Sequence, residues 1–241
     1  MLTPLVAANF KFLLDYANKQ YDTSRGLHLN SKDWKFYISA GNPKYYDFVL
    51  NGTMQFITRS EHSGKEYKQY LKLAEYKKIE SAVLILMLAE FSNPDIIKFI
   101  VTALKCGETK LYCNCPAFLY WGSYYNLTKI NSAYGKGESR FPKKRDPHQK
   151  NLVCKHIWII LNNYDRILNQ LATNLLPYYT RMFGLSSPTG KSRLIKQLGE
   201  KGISKLIKSA VENLGKMKDK ESLNLFNSIT AGKLNILGEL K

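Results

Sequence analysis

The spacing of hydrophobic positions changes several times along this chain, and each change predicts a different element. Over residues 4–22, Leu5, Phe10, Phe12, Leu13, Leu14 and Tyr16 supply one apolar face of a helix, which Asp22-Thr23-Ser24-Arg25-Gly26 then breaks. From Asp33 to Leu73 the pattern shortens to aromatic and β-branched runs that predict strands at 34–38, 45–50, 54–58 and 67–73. Asn51-Gly52 reads as a hairpin turn between the second and third of these, and Ser63-Gly64-Lys65 as another turn. Helical spacing returns over 79–91 and again over 95–104, where Asn93-Pro94 provides a helix start. Lys110-Leu111-Tyr112 predicts a short strand running into Cys113. Cys154 opens a helix whose apolar face is Ile157, Trp158, Ile160, Leu161, Tyr164, Ile167 and Leu168.

Beyond Phe183 the pattern shifts once more. Ser186-Ser187-Pro188-Thr189-Gly190 marks 184–190 as a linker between a domain at 1–183 and a helical tail at 191–241. The tail alternates lysines with single aliphatics such as Leu194, Ile195, Leu198 and Ile203. Glycines at 199, 202, 215, 232 and 238 would cut it into short amphipathic helices. From Ser186 onward it carries eleven basic and five acidic residues. Both a solvated helical hairpin and an arm for a partner or nucleic acid fit that composition. The expected class is α+β: an N-terminal helix and small antiparallel sheet, a middle organised around a metal, and a C-terminal helical tail.

Composition sharpens this picture mainly through charge. Thirty-six Lys and Arg against nineteen Asp and Glu give a formal charge of +17, which favours polyanionic partners such as nucleic acid, anionic membrane or an acidic protein face. The most apolar window, Ala82 to Met87, is too short to span a bilayer, so no membrane partner is expected. Residues 1–8 show no charged stretch followed by a long apolar one, and no signal peptide is expected.

The chemistry concentrates in four residues: Cys113 and Cys115 in Cys-Asn-Cys, and Cys154 and His156 in Cys-Lys-His. Three potential thiolates and an imidazole form the ligand set of a closed tetrahedral zinc site, placed within 105–170. Cysteines two apart bridge each other only with strain, which disfavours a disulfide for the first pair. Four protein ligands leave no position for water, so zinc here is expected to be structural. Cys106 is read as a buried thiol or a substitute ligand, and His148 as a surface residue or a replacement for His156.

With Cys113-Asn114-Cys115 and Cys154-Lys155-His156 the chain resembles the SWIM type of zinc finger, Cys-X-Cys followed by Cys-X-His. That resemblance implies a first pair at the end of a hairpin and a second pair opening a helix. The gap of 38 residues, from Pro116 to Val153, is longer than the usual SWIM interval. Residues 110–122, 140–147 and 151–156 further resemble SWIM-like proteins encoded by tailed bacteriophages. This implies a non-enzymatic structural protein of the virion, made in the host cytoplasm and built into the neck, tail or baseplate. Its partners would be other virion proteins, in a homo-oligomeric ring, with DNA as a further neighbour. The alternative is a cytoplasmic nucleic-acid-binding zinc protein.

The insertion between the ligand pairs has chemistry of its own. Phe118, Tyr120, Trp121, Tyr124, Tyr125 and Tyr134 precede the basic run Arg140, Lys143, Lys144, Arg145 and Lys150. Aromatic rings interleaved with cations suit single-stranded nucleic acid, while a mini-core over the zinc site would explain the rings equally well. The five cations cannot all be buried, and Pro142 and Pro147 stiffen them into an exposed ribbon facing DNA or an acidic neighbour. Gly190-Lys191-Ser192 lacks the upstream glycine and the preceding strand of a phosphate loop. No acid–base pair or nucleophilic triad is evident, and no enzymatic activity is expected.

Overall fold

The computed structural model describes residues 14, 15, 18, 34–36, 49–59, 64–120, 133–136, 140, 141, 143, 144, 153–217 and 220–231. It combines helices with a small antiparallel sheet and ends in a helical C-terminal region. The chain folds as two compact units: residues 1–74 with 108–164, and residues 75–107 with 165–241. Of the predicted N-terminal helix only residues 14, 15 and 18 are described, and they are helical.

The first unit is built on a four-stranded sheet in the order β1 (Trp34–Phe36), β2 (Thr53–Arg59), β3 (Glu66–Leu73) and β4 (Thr109–Cys113), every neighbour antiparallel. Strict alternation sends Met54, Phe56 and Thr58 of β2, Gln69, Leu71 and Leu73 of β3, and Thr109, Leu111 and Cys113 of β4 to one buried face. Register aligns Met54, Leu71 and Leu111 in one row and Phe56, Gln69 and Cys113 in the next. Cys113 thus ends an ordinary core row. A short helix α3 (Pro116–Tyr120) follows, and α4 (Lys155–Asn162) packs against β4. A buried hydrogen bond, 3.1 Å from Thr109 Oγ1 to Tyr164 Oη, closes the far end of this strand.

Two expectations for this unit need correction. Residues 49–51 are helical, so no strand runs to residue 50, and the turn joining the first long pair lies between β2 and β3. Gly52 takes a left-handed φ of 73°, Asn51 Oδ1 accepts from Thr53 N–H at 2.9 Å, and Gly52 C=O accepts from Leu73 N–H at 2.8 Å. The same residue pair that makes a hairpin turn also ends a helical turn, because both need a residue at positive φ. The predicted strands at 67–73 and 110–112 are both present, as β3 and β4, and β4 joins the sheet only after residues 75–107.

The second unit is helical. A 3₁₀ turn at Tyr76–Ile79 leads into α1 (Glu80–Leu88), and α2 (Asn93–Cys106) follows. After the insertion come α5 (Tyr164–Met182), α6 (Pro188–Gly215) and α7 (Glu221–Thr230). α1 is apolar nearly all round, burying Ala82, Val83, Leu84, Ile85, Leu86 and Leu88, as a central helix must. It packs on α6, while α2 packs on α7, where the Phe99 and Phe226 rings meet at 5.9 Å. Pro94 sits in the first turn of α2, and Ser92 caps it by accepting from Asp95 N–H at 3.3 Å.

Segment 184–190 is a turn followed by the first turn of α6. Ser187 Oγ accepts from Gly190 N–H at 3.1 Å and Pro188 occupies the first helical position, so the residues that read as linker are a helix start. Of the glycines expected to cut the tail, Gly199 does so, with φ 56° and ψ −177° inside α6, whereas Gly202 is helical. Among the described residues no helix is long and apolar enough to cross a membrane.

Gly199 is open to solvent on the side where a Cβ would stand, but its backbone lies in a region that other residues adopt only with strain. Gly199→Ala is expected to destabilise the fold by about 1–3 kcal/mol. Gly215→Ala, at an ordinary helical position with equal room, should be neutral or stabilising by up to about 1 kcal/mol. Denaturant unfolding of the two variants checks the contrast.

Candidate metal centre

β4 delivers Cys113 at its last position, inward-facing because it lies two residues beyond Leu111. The chain then turns sharply at Asn114, which extends the pairing with β3 on both sides. Its N–H donates to Lys68 C=O at 3.1 Å, and its Oδ1 accepts from Lys68 N–H at 2.7 Å. These two bonds hold the Cys-Asn-Cys turn against the sheet and bring Cys115 back toward Cys113. Two further backbone donors point at sulfur: Cys115 N–H toward Cys113 Sγ at 3.4 Å, and Phe118 N–H toward Cys115 Sγ at 3.3 Å.

The second pair comes from the start of α4. Cys154 is the N-cap residue, with extended backbone (φ −86°, ψ 167°), and its C=O accepts the first helical bond from Trp158 N–H at 3.0 Å. One turn is enough to carry His156 onto the same side. Its ring packs at 5.0 Å against Tyr67, and its Nδ1 lies 3.9 Å from Cys113 Sγ. All four residues are buried, and their ligand atoms lie within 4.8 Å of one another. Sulfurs and an imidazole nitrogen about 2.0–2.3 Å from a shared centre would be separated by slightly under 4 Å, so the arrangement is close to a coordination shell. No disulfide joins any of the four cysteines. The cluster can hold a metal ion, and its soft donors select thiophilic metals over magnesium or calcium.

The protonation of the sulfurs follows from their crowding. Burial pushes the Cys113 and Cys154 thiols above their ordinary range. Hydrogen bonds from those two thiols pull Cys115 well below its own. Burial thus opposes ionisation at Cys113 and Cys154, while hydrogen bonding from them favours it at Cys115.

Gln69, buried in the row of Cys113, is a neighbour of the centre with no signature in the sequence. Its Nε2 donates to Thr58 Oγ1 and Tyr67 C=O, both at 2.9 Å, and lies 3.7 Å from Cys113 Sγ. A glutamine in an alternating strand reads as outward-facing until the register is known. Asn114 was visible as the middle of the motif, and its turn-forming chemistry was the available signal for its role.

The remaining expected site residues fall into two groups. Arg140, Lys143 and Lys144 are exposed, whereas Arg145, Lys150 and His148 lie outside the described residues. Among the aromatics Phe118 is buried, Tyr120 and Tyr134 are exposed, and Trp121, Tyr124 and Tyr125 lie outside the described residues. Cys106 is buried as the last residue of α2 and is not part of the cluster.

No protein-family model and no solved structure matches the chain. It is 25% identical over 161 residues to an uncharacterized protein of Methanocaldococcus jannaschii, a match covering 61% of this chain and 40% of that protein. The similarity places a relative in an archaeon and brings no activity with it.

Coordination by three thiolates requires Cys113 and Cys154 to lose the protons that burial holds on them. Their raised values favour the protonated, metal-free form as pH falls, so affinity must rise with pH. Chelator competition across neutral pH is expected to show apparent zinc affinity climbing by roughly tenfold or more per pH unit, as thiol protons leave when the metal binds. A pH-independent affinity would contradict coordination by all three sulfurs.

Proposed function

We propose that Cys113, Cys115, Cys154 and His156 hold one structural zinc in a SWIM-type clasp, and that the clasped insertion binds nucleic acid without enzymatic activity. Zinc accounts for the donor set: three sulfurs and one nitrogen, buried, with no further ligand group in the cluster among the described residues. The metal would tie the end of a strand to the start of a helix and set the two ends of the insertion side by side.

The observation that carries the nucleic-acid reading is what the insertion leaves exposed. Among the described residues the exposed large apolar side chains are Leu50, Tyr120, Tyr134, Phe141, Met182 and Val211. Every aromatic one belongs to the insertion: Tyr120 at 65%, Tyr134 at 54% and Phe141 at 40%. Exposed Lys136, Arg140, Lys143 and Lys144 are interleaved with them. A mini-core accounts for buried Phe118 but not for the exposure of these three rings. Rings in water beside cations are what a strand of phosphates and bases requires.

A second reading, a structural protein of a tailed-phage virion, rests on the resemblance of residues 110–122, 140–147 and 151–156 to SWIM-like phage proteins. In it the same exposed cations would face an acidic neighbouring subunit or packaged DNA, and the chain would assemble as a ring. Detection of the chain in purified particles would support that reading.

Titration of the zinc-loaded protein with a labelled oligonucleotide at several salt concentrations distinguishes the two. The nucleic-acid reading predicts measurable affinity that falls steeply with salt. Replacing Arg140, Lys143 and Lys144 together by alanine should reduce the log–log slope by about 2–3, the loss of three phosphate contacts. Absence of binding at low salt, or a slope untouched by the triple substitution, would count against it.

A further inference from the structure

The alternation that buries Cys113 leaves a second surface on the opposite face of the same sheet. There β3 presents Lys68, Tyr70 and Lys72, and β4 presents Lys110 and Tyr112. Register pairs Tyr70 directly with Tyr112, and Lys72 with Lys110. The two tyrosine rings stand 6.0 Å apart, tilted by 54°. Lys68 is exposed and Lys72 half-buried, while Lys110 pairs with Glu108 at 3.7 Å.

Tyr134, within the insertion, lies flat on Tyr70 and tilted against Tyr112. Its ring stacks on Tyr70 at 4.2 Å with an interplanar angle of 8°, and meets Tyr112 at 5.7 Å and 51°. Phe118 braces Tyr112 from another side, edge-on at 5.8 Å. A tyrosine serving only to anchor a loop on a sheet would be largely covered. Tyr134 has one face packed on Tyr70 yet remains 54% exposed, so more than half of the residue meets solvent on an aromatic base.

From this arrangement we infer that the outer face of the sheet is a stacking platform for an unpaired base, which makes single-stranded nucleic acid the substrate class of this protein. The inference rests on the nucleic-acid reading above and narrows it. An unpaired base has a free π-face to lay on Tyr134, and the strand's phosphates complement Lys68 and Lys72 on the sheet and exposed Lys136 two residues along the chain from the ring. A duplex keeps its bases stacked on one another and can offer only phosphates to the same lysines. A neutral glycan, which also lies flat on tyrosine, would leave those cations without complementary charge.

The test compares a single-stranded oligonucleotide of about 16 nucleotides with a duplex of the same length, both fluorescently labelled, against the zinc-loaded full chain. Tyr134→Ala is expected to weaken single-strand binding by roughly 5- to 100-fold while leaving the salt slope and duplex binding unchanged. Tyr134→Phe, which keeps the ring, should bind as the unaltered protein does. To guard against a loosened insertion in the alanine variant, bromouracil-substituted single strand is photo-crosslinked to the unaltered chain, and the label should map to the peptide carrying Tyr134. Equal losses for single strand and duplex, or a crosslink that avoids that peptide, would overturn the platform and leave nucleic-acid binding intact. Failure of the unaltered protein to bind either oligonucleotide would end both.

Discussion

Convergence of three sulfurs and one imidazole is the constraint on which the first unit depends. Its ligands come from places that local structure alone would not hold together: the last residue of β4, the turn after it, and the first turn of α4. Between them lies an insertion of 38 residues, and closing a loop of that size costs conformational entropy that few contacts at its base could recover. Burial opposes ionisation of Cys113 and Cys154, so the three sulfurs cannot all become thiolates there without a cation to compensate them. A metal inverts that balance, and structural zinc in small domains contributes on the order of 10 kcal/mol or more. A metal held there would cross-link the strand end, the turn and the helix start.

The sheet prepares this centre and also separates it from the proposed binding surface. One periodicity-of-two pattern places Leu71, Leu111, Gln69 and Cys113 on one side and Tyr70, Tyr112 and Lys72 on the other. The candidate metal centre and the proposed binding surface thus lie back to back across a single layer. The Asn114 bonds to Lys68 serve both, because they fix the Cys-Asn-Cys turn and also complete the pairing of the strand that carries Tyr70. Tyr134 then ties the clasped segment to the far face, so the insertion is held at its ends by the centre and near its middle by the sheet.

Much of this was legible in the sequence, for identifiable reasons. The four residues of the cluster stand out because two-residue spacings of cysteine and histidine have few other uses, and the structure brings them together. Strand β4 and the helix start at Cys154 follow from local pattern. The failures are equally specific. Asn51-Gly52 satisfies the requirements of two different turns, and only the helical conformation of 49–51 decides between them. The partner of β3 is separated from it by the whole of residues 75–107, so no local window contains that pairing. Gln69 has no signature, because its role is set entirely by register. At Ser187-Pro188 the residues that break one segment also begin the next helix, and the linker reading took only the first half of their chemistry.

X-ray absorption at the zinc edge of the purified protein addresses the centre on which everything else rests. A closed clasp predicts three sulfurs at about 2.3 Å and one nitrogen at about 2.0–2.1 Å, with no oxygen in the first shell. A shell with fewer sulfurs and bound water would contradict the structural site, and a purified, folded chain without metal would contradict the clasp itself.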